Sequence, residues 1–209
     1  MITIGLTGGI GTGKTYILHI FKELGCYALR ADELAKNIIF SNRPEITQKI
    51  AEVFGNDIID PDGGINKSEF SRLLFKDDDK RLFINRLIHP LVSIERRSVI
   101  RDLEKSHTVN FFVYESALLV ESGIFKEFNR VIVAYTSEEE QIARLIQRDH
   151  LEPDEALRRI KAQFPLSEKL KVAHYTIDTS GSFANTRTKT LETFHLILNE
   201  FHMKHAQMQ

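Results

Sequence analysis

Cysteine is all but missing from this sequence: Cys26 is the single one in 209 residues. No disulfide can form within the chain, which fits a reducing compartment. Cys26 lies in an apolar stretch and reads as a buried, inert thiol. An excess of either charge is missing too. Lys and Arg number 28 against 29 Asp and Glu, for a formal net charge of -1. No bulk charge points to nucleic acid or an anionic membrane, so neither is expected as a partner. No uninterrupted apolar run approaches a membrane span. The opening Met-Ile-Thr-Ile-Gly carries neither a charged n-region nor a cleavable apolar stretch. A cytoplasmic protein is expected, as a monomer or small homo-oligomer. There is no repeat, low-complexity segment or clear linker.

What is present is ordinary globular material. The apolar fraction is 42% and the charged fraction 27%, enough for a sizeable core without metal or disulfide staples. The length suits one domain, with room for lobes. Residues 2–7 form an apolar run ending in glycines and read as a buried strand. Ile17, Leu18, Phe21 and Leu24 then recur at helical spacing, with Gly25 as a stop. Residues 26–29 predict a second short strand running into Arg30-Ala31-Asp32. From about 33 to 105 the pattern is mainly helical, interrupted by the turn Asp60-Pro61-Asp62-Gly63-Gly64. Residues 109–114 and 131–135 predict further strands. Ser137 with Glu140 makes a capping box for a helix carrying Arg144 and Arg148. Pro153 opens the next helix. Residues 175–178 predict a last strand, and a final helix starts near Thr188, its tail fraying after His202. Strands alternating with helices predict an α/β fold, a mostly parallel sheet covered on both faces.

Gly8-x4-Gly13-Lys14-Thr15 is a complete Walker A pattern. Glycines let backbone N–H groups approach phosphates closely. The helix beginning near Lys14 aims its positive end at the same anions. Lys14 adds a mobile cation, and the Thr15 hydroxyl can ligate Mg2+. The bare pattern arises by chance in roughly 1% of chains this size, and the flanking strand and helix lower that further. The spacing excludes G-x-G-x-x-G, since Lys14 stands where the last glycine would be. Asn66-Lys67-Ser68-Glu69 ends in Glu rather than Asp and opens a helical pattern, so it reads as a helix start instead of a guanine site. Calcium at Asp60-x-Asp62 fails because Ile65 occupies the place of the required glycine.

The acids and bases around this loop each carry two readings. Asp32 follows the second strand, where it can accept a proton from an attacking hydroxyl or hold a water on Mg2+; alternatively it is a solvated loop or capping acid. Glu115 ends the third apolar run, as an organiser of Mg2+ or water or as a surface acid. Arg144 and Arg148 share one helix face, with Gln141 a turn earlier. That face either closes over a nucleotide or is a solvated basic face paired with Glu140 or Asp149. His89, ahead of Pro90, is a packed or capping histidine or a functional one.

Taken in order, these pieces resemble the dephospho-CoA kinase family. The resemblance runs from Gly5 through Thr15 to Ala31-Asp32 and Leu87-Ile88-His89-Pro90. It continues through Leu118-Leu119-Val120-Glu121-Ser122-Gly123, Gln141, Arg144 and Gln147-Arg148, then Arg159-Ile160, Gln163, Ala173 and Ile177-Asp178. It implies transfer of the ATP γ-phosphate to the ribose 3′-hydroxyl of dephospho-CoA, the last step of coenzyme A biosynthesis. It also implies a P-loop kinase core (about 1–32, 106–136 and 166–209), a helical acceptor-binding lobe (about 33–105) and a lid (about 137–165). ATP would be held by Gly8, Gly9, Ile10, Gly11, Thr12, Gly13, Lys14, Thr15 and Tyr16. Lys14, Asp32, Arg144 and Arg148 would be catalytic, and Asp32, His89 and Leu118 would meet the acceptor. Thr15 would hold Mg2+ directly and Glu115 through water. The chain departs from the family's usual pattern at Arg30 (usually Asp), at Ala117 (usually Pro), and at His174 and Thr179-Ser180-Gly181 (usually Asp and Asn-x-Gly). Two rivals remain at this point: a P-loop kinase for a nucleoside monophosphate, and a nucleotide-dependent switch without an acceptor.

Overall fold

The computed structural model describes residues 1–206. Five strands form one parallel sheet: β1 (Ile2–Gly8), β2 (Tyr27–Arg30), β3 (Phe111–Glu115), β4 (Arg130–Tyr135) and β5 (Tyr175–Asp178). Their order across the sheet is β2-β3-β1-β4-β5. Both neighbours of β1 are therefore distant in sequence, with Leu6 in register with Glu115 on one side and with Ile132 on the other. Such a strand is enclosed on all sides, which is why residues 3–8 are buried and read as one continuous apolar run.

Alternate β1 residues serve opposite faces. Ile4 and Leu6 pack with Ile17, Leu18 and Phe21 of α1 (Lys14–Glu23) and with Phe194 and Ile197 of α9 (Phe183–Ala206). Phe194 sets its ring edge-on to Phe111 at 5.3 Å and to Phe21 at 6.0 Å. Gly5 looks the other way, where a Cβ would come within 2.6 Å of Leu119 Cδ2 and 3.3 Å of the Phe128 ring. Cys26 joins the first cluster, and burial pushes its thiol up to about 12, so it is the inert core residue expected.

The chain divides into two compact units, residues 31–106 and the remainder of the described chain. The 31–106 unit is helical: α2 (Ala31–Ile39), α3 (Pro44–Phe54), a 3-10 turn at Asn56–Ile58, α4 (Lys67–Lys76) and α5 (Asp78–Ser106). Ile84, Ile88, Val92 and Arg96 recur every four residues of α5 and are all buried. Phe54 stacks on Phe70 at 5.3 Å. The glycine turn closes as expected, with Asp60 N–H donating to Gly64 O and Gly63 N–H to Asp60 O. The Asn66 side chain accepts from Glu69 N–H and starts α4, as the helix-start reading required.

After β4 come α6 (Glu138–Asp149), α7 (Pro153–Lys161) and α8 (Leu166–Leu170). Three expectations are corrected. The capping box at Ser137 is half formed: Ser137 Oγ accepts from Glu140 N–H, but the Glu140 carboxylate turns to Thr136, Arg144 and Gly181. The last helix begins at Phe183, five residues before Thr188. Ser182 caps it, its hydroxyl accepting from Asn185 N–H. The expected fraying after His202 is overturned as far as Ala206, which α9 includes; 207–209 lie outside the described residues.

Phe194→Ala removes a ring shared by α1, β3 and α9 and should cost about 3–5 kcal/mol. Urea unfolding should show a lower midpoint with the slope retained.

Candidate active site

Gly8 ends β1 in a place no side chain can share. A Cβ there would sit 2.3 Å from Ala134 O and 2.7 Å from Thr12 Oγ1. The loop then folds on itself. Thr12 Oγ1 donates to Gly9 O at 2.8 Å, and the Lys14 ammonium donates to the same carbonyl at 2.8 Å. Gly13, at φ 74, takes the left-handed turn that starts α1 and accepts from Tyr16 and Ile17 N–H. The first-turn amides of α1 consequently point out of its N-terminus.

α6 supplies one wall. Arg144 donates through Nη1 to Gly11 O (3.2 Å) and Thr179 Oγ1 (3.2 Å), and through Nη2 to Thr179 O (2.6 Å) and Glu140 Oε2 (3.0 Å). The Thr136 hydroxyl above all, with Gly181 N–H and Arg144, holds the Glu140 carboxyl below the usual carboxylate range. Gln141 is buried one turn earlier, its Oε1 only 2.6 Å from where a Gly9 Cβ would be. Ile10 N–H donates to Gln163 Oε1 at 2.9 Å, beyond α7. Thr179 follows β5 and donates its hydroxyl to Thr12 O at 3.1 Å.

Between these elements lies a cavity of about 490 Å³, a size suited to a small-molecule ligand. Gly11, Gly13, Lys14, Thr15, Tyr16, Arg144, Gln147, Arg148, Thr179, Gly181, Phe183 and Thr186 line it. The expected Lys14, Thr15, Tyr16, Arg144 and Arg148 are thus brought round one space. Gly8, Gly9, Ile10 and Thr12 shape the loop behind it. Thr15 is exposed, and Tyr16 meets the Phe183 ring edge-on at 4.9 Å.

The two arginines are not equivalent. Arg144 grips the loop, whereas Arg148 pairs through Nε and Nη2 with both oxygens of Asp149, each at 2.8 Å. Glu115 is not a surface acid: it is buried at the end of β3 and accepts from Arg30 Nε at 2.9 Å. Leu118 is exposed on the turn after β3 and is not part of the cavity lining. Asp32 and His89 belong to the helical unit. Asp32 is exposed in the first turn of α2. His89 is exposed in the interior of α5, just before Pro90, so it is neither packed nor capping. Phe183 and Thr186 line the cavity, though the sequence pattern did not single them out. An aromatic directly after Gly181-Ser182 was the one available signal for Phe183.

A parallel sheet with β1 at its centre, a Walker A loop at the end of that strand and an arginine-bearing helix against the loop define a P-loop kinase. The chain matches the dephospho-CoA kinase family over residues 2–185. It is 39% identical over 188 residues to the dephospho-CoA kinase of Carboxydothermus hydrogenoformans, covering 90% of each chain. It is 36% identical over 186 residues to that of Aquifex aeolicus, covering 89% of this chain and 92% of the relative. The solved dephospho-CoA kinase of Campylobacter jejuni superposes with a TM-score of 0.67 at 25% identity, over 93% of this chain and 96% of the other. This chain belongs to the dephospho-CoA kinase family.

Asp178 offers a test of how the cavity wall is held. Its carboxylate accepts from Lys189 Nζ and from Ser180 N and Oγ, fixing the turn that presents Thr179. Lys189 first, then Ser180, lower its pKa to about 2. A carboxyl depressed on folding stabilises above its unfolded pKa, and that contribution is lost as pH falls towards the folded value. Asp178→Asn should therefore cost about 1–2 kcal/mol near neutrality and close to nothing at about pH 2. Urea midpoints of the two proteins across that range should converge on acidification.

Proposed function

We propose that this chain transfers the γ-phosphate of ATP to the ribose 3′-hydroxyl of dephospho-CoA, giving CoA and ADP. The observation that carries the reading is the cavity itself, with Arg144 of α6 bonded to the carbonyl of Gly11 inside a complete Walker A loop. In this reading the amides of Gly11 to Thr15 hold the β-phosphate, aided by the dipole of α1. Lys14 leaves Gly9 O to reach the outer phosphates. Arg144 neutralises charge on the transferring group, and Arg148 joins it by exchanging Asp149 for phosphate. Since the transition state is loose, positioning and electrostatics supply most of the acceleration.

Asp32 accepts the proton of the 3′-hydroxyl as that oxygen attacks in line. The helical unit, with His89, is the acceptor-binding lobe, and Leu118 adds an apolar contact. α6 and α7 are the lid. Among the described residues no group of three or more His, Cys, Asp or Glu could hold a metal by itself. The exposed Thr15 hydroxyl fits Mg2+ shared with nucleotide phosphates and water, the usual mode for this ion. When bound, Mg2+ supplies charge neutralisation between the phosphates. Glu115 has one oxygen engaged by Arg30, which leaves it a role through water. Among the described residues no helix is long and apolar enough to cross a membrane. We place the enzyme in the cytoplasm, as a monomer or small homo-oligomer without a nucleic-acid partner.

ADP release from ATP and Mg2+ should be strongly stimulated by dephospho-CoA and not by AMP or CMP, and Asp32→Asn should abolish the stimulation. Arg144→Ala should lower kcat on the order of 10²- to 10³-fold, and Arg148→Ala by less. Stimulation by AMP or CMP instead would keep the fold and discard the acceptor. Equal slow hydrolysis in every reaction would discard the kinase.

A further inference from the structure

Lys169, on α8, is fully buried. Its ammonium donates to Ala117 O at 2.6 Å and to Glu121 Oε1 at 2.5 Å. Glu121 stands on the turn after β3, and its second oxygen, Oε2, is buried and has no hydrogen-bond partner among the described residues. Removing two such charges from water costs several kcal/mol each, and apolar side chains of similar volume often stabilise a fold as well or better. Stability therefore does not account for the pair.

Its connections do. Glu121 Oε1 also accepts from Phe164 N–H at 3.1 Å, in the link between α7 and α8. The residue before Phe164 is Gln163, whose Oε1 takes Ile10 N–H at the front of the phosphate loop. Ala117 O, the other acceptor of Lys169, also receives the Thr7 hydroxyl at 3.4 Å from β1. Two consecutive residues of the link are thereby tied down, one to the turn after β3 and one to the loop.

We propose that Glu121 and Lys169 are positioning residues, which fix the α7–α8 link so that Gln163 holds the phosphate loop at Ile10 in its working shape. The inference rests on the reading of that loop as the nucleotide site. Its worth is in turnover rather than stability, because a loosened loop misplaces the phosphoryl group.

The test is the full-length double variant Glu121→Leu with Lys169→Met, which removes both charges together. Its urea midpoint should equal or exceed that of the wild type. Its kcat should fall about 10- to 100-fold, while the KM for dephospho-CoA changes by less than about threefold. Exchange of the Ile10 amide hydrogen, followed without substrate, should quicken by about tenfold or more. Gln163→Leu alone should give the same fall in kcat, and adding it to the double variant should give no further fall. A folded double variant with wild-type kcat and Ile10 exchange would overturn the proposal, as would a multiplicative loss on adding Gln163→Leu. If the double variant does not fold, wild-type kcat in Gln163→Leu is sufficient to overturn it. Lack of dephospho-CoA turnover in the wild type would instead strike the kinase assignment, and the Ile10 exchange would still decide this one.

Discussion

The close approach of β1 to β4 at Gly8 is the constraint on which the site is built. Gly8 is in register with Ala134, and the space a Cβ would need is already taken by the Ala134 carbonyl. Because β1 is hydrogen bonded on both edges, its end cannot shift sideways to make room. The loop that leaves it must therefore curl back at once. That curl places Gly9 O where both Thr12 and Lys14 can reach it, and it starts α1 with its amide end facing the cavity.

The wall opposite the loop follows from the same strand order. β4 leads into α6 and β5 leads into Thr179, and these strands are neighbours in the sheet. Arg144 can for this reason bond both Gly11 O and Thr179 with one guanidinium. A planar fork of fixed donors suits this use, and a lysine could not span the same acceptors. Glu140 partly neutralises the same guanidinium through an ion pair at 3.0 Å.

Much of this was readable in the order of residues, because it is local. Walker A spacing, the glycine turn at 60–64, the Asn66 cap and the buried strands each depend on a few adjacent positions. The first turn of α9, residues 183–187, was not readable, because polar Asn185 and β-branched Thr186 argue against helix there. The structure shows why helix wins. Thr188, Thr190 and Thr193 return their hydroxyls to carbonyls four residues earlier, and Thr186, Thr190 and Thr193 are buried. Lys169 was hidden for another reason. In the short polar segment Leu-Ser-Glu-Lys-Leu it looks solvated, and only the distant Glu121 and Ala117 make it a core residue. The difference between Arg144 and Arg148 was hidden likewise, since equal spacing on one helix face says nothing about which arginine meets the loop and which meets Asp149.

Arg30 shows how a departure from the family's usual pattern can be absorbed. An arginine where an aspartate is usual reverses the charge at the end of β2. In this chain Arg30 is in register with Glu115 at the end of β3, and its Nε lies 2.9 Å from that buried carboxylate. The two charges answer each other across adjacent strand ends. Glu115 is mostly shielded from solvent while Arg30 is about a third exposed, so the pair is more strongly coupled than a surface one. The same substitution leaves Asp32, two residues on, on the first turn of α2, where a carboxylate is favoured by the helix dipole. The chain can change the sign of one strand end without disturbing the acid proposed to receive the acceptor's proton, because strand and helix hold the two residues separately.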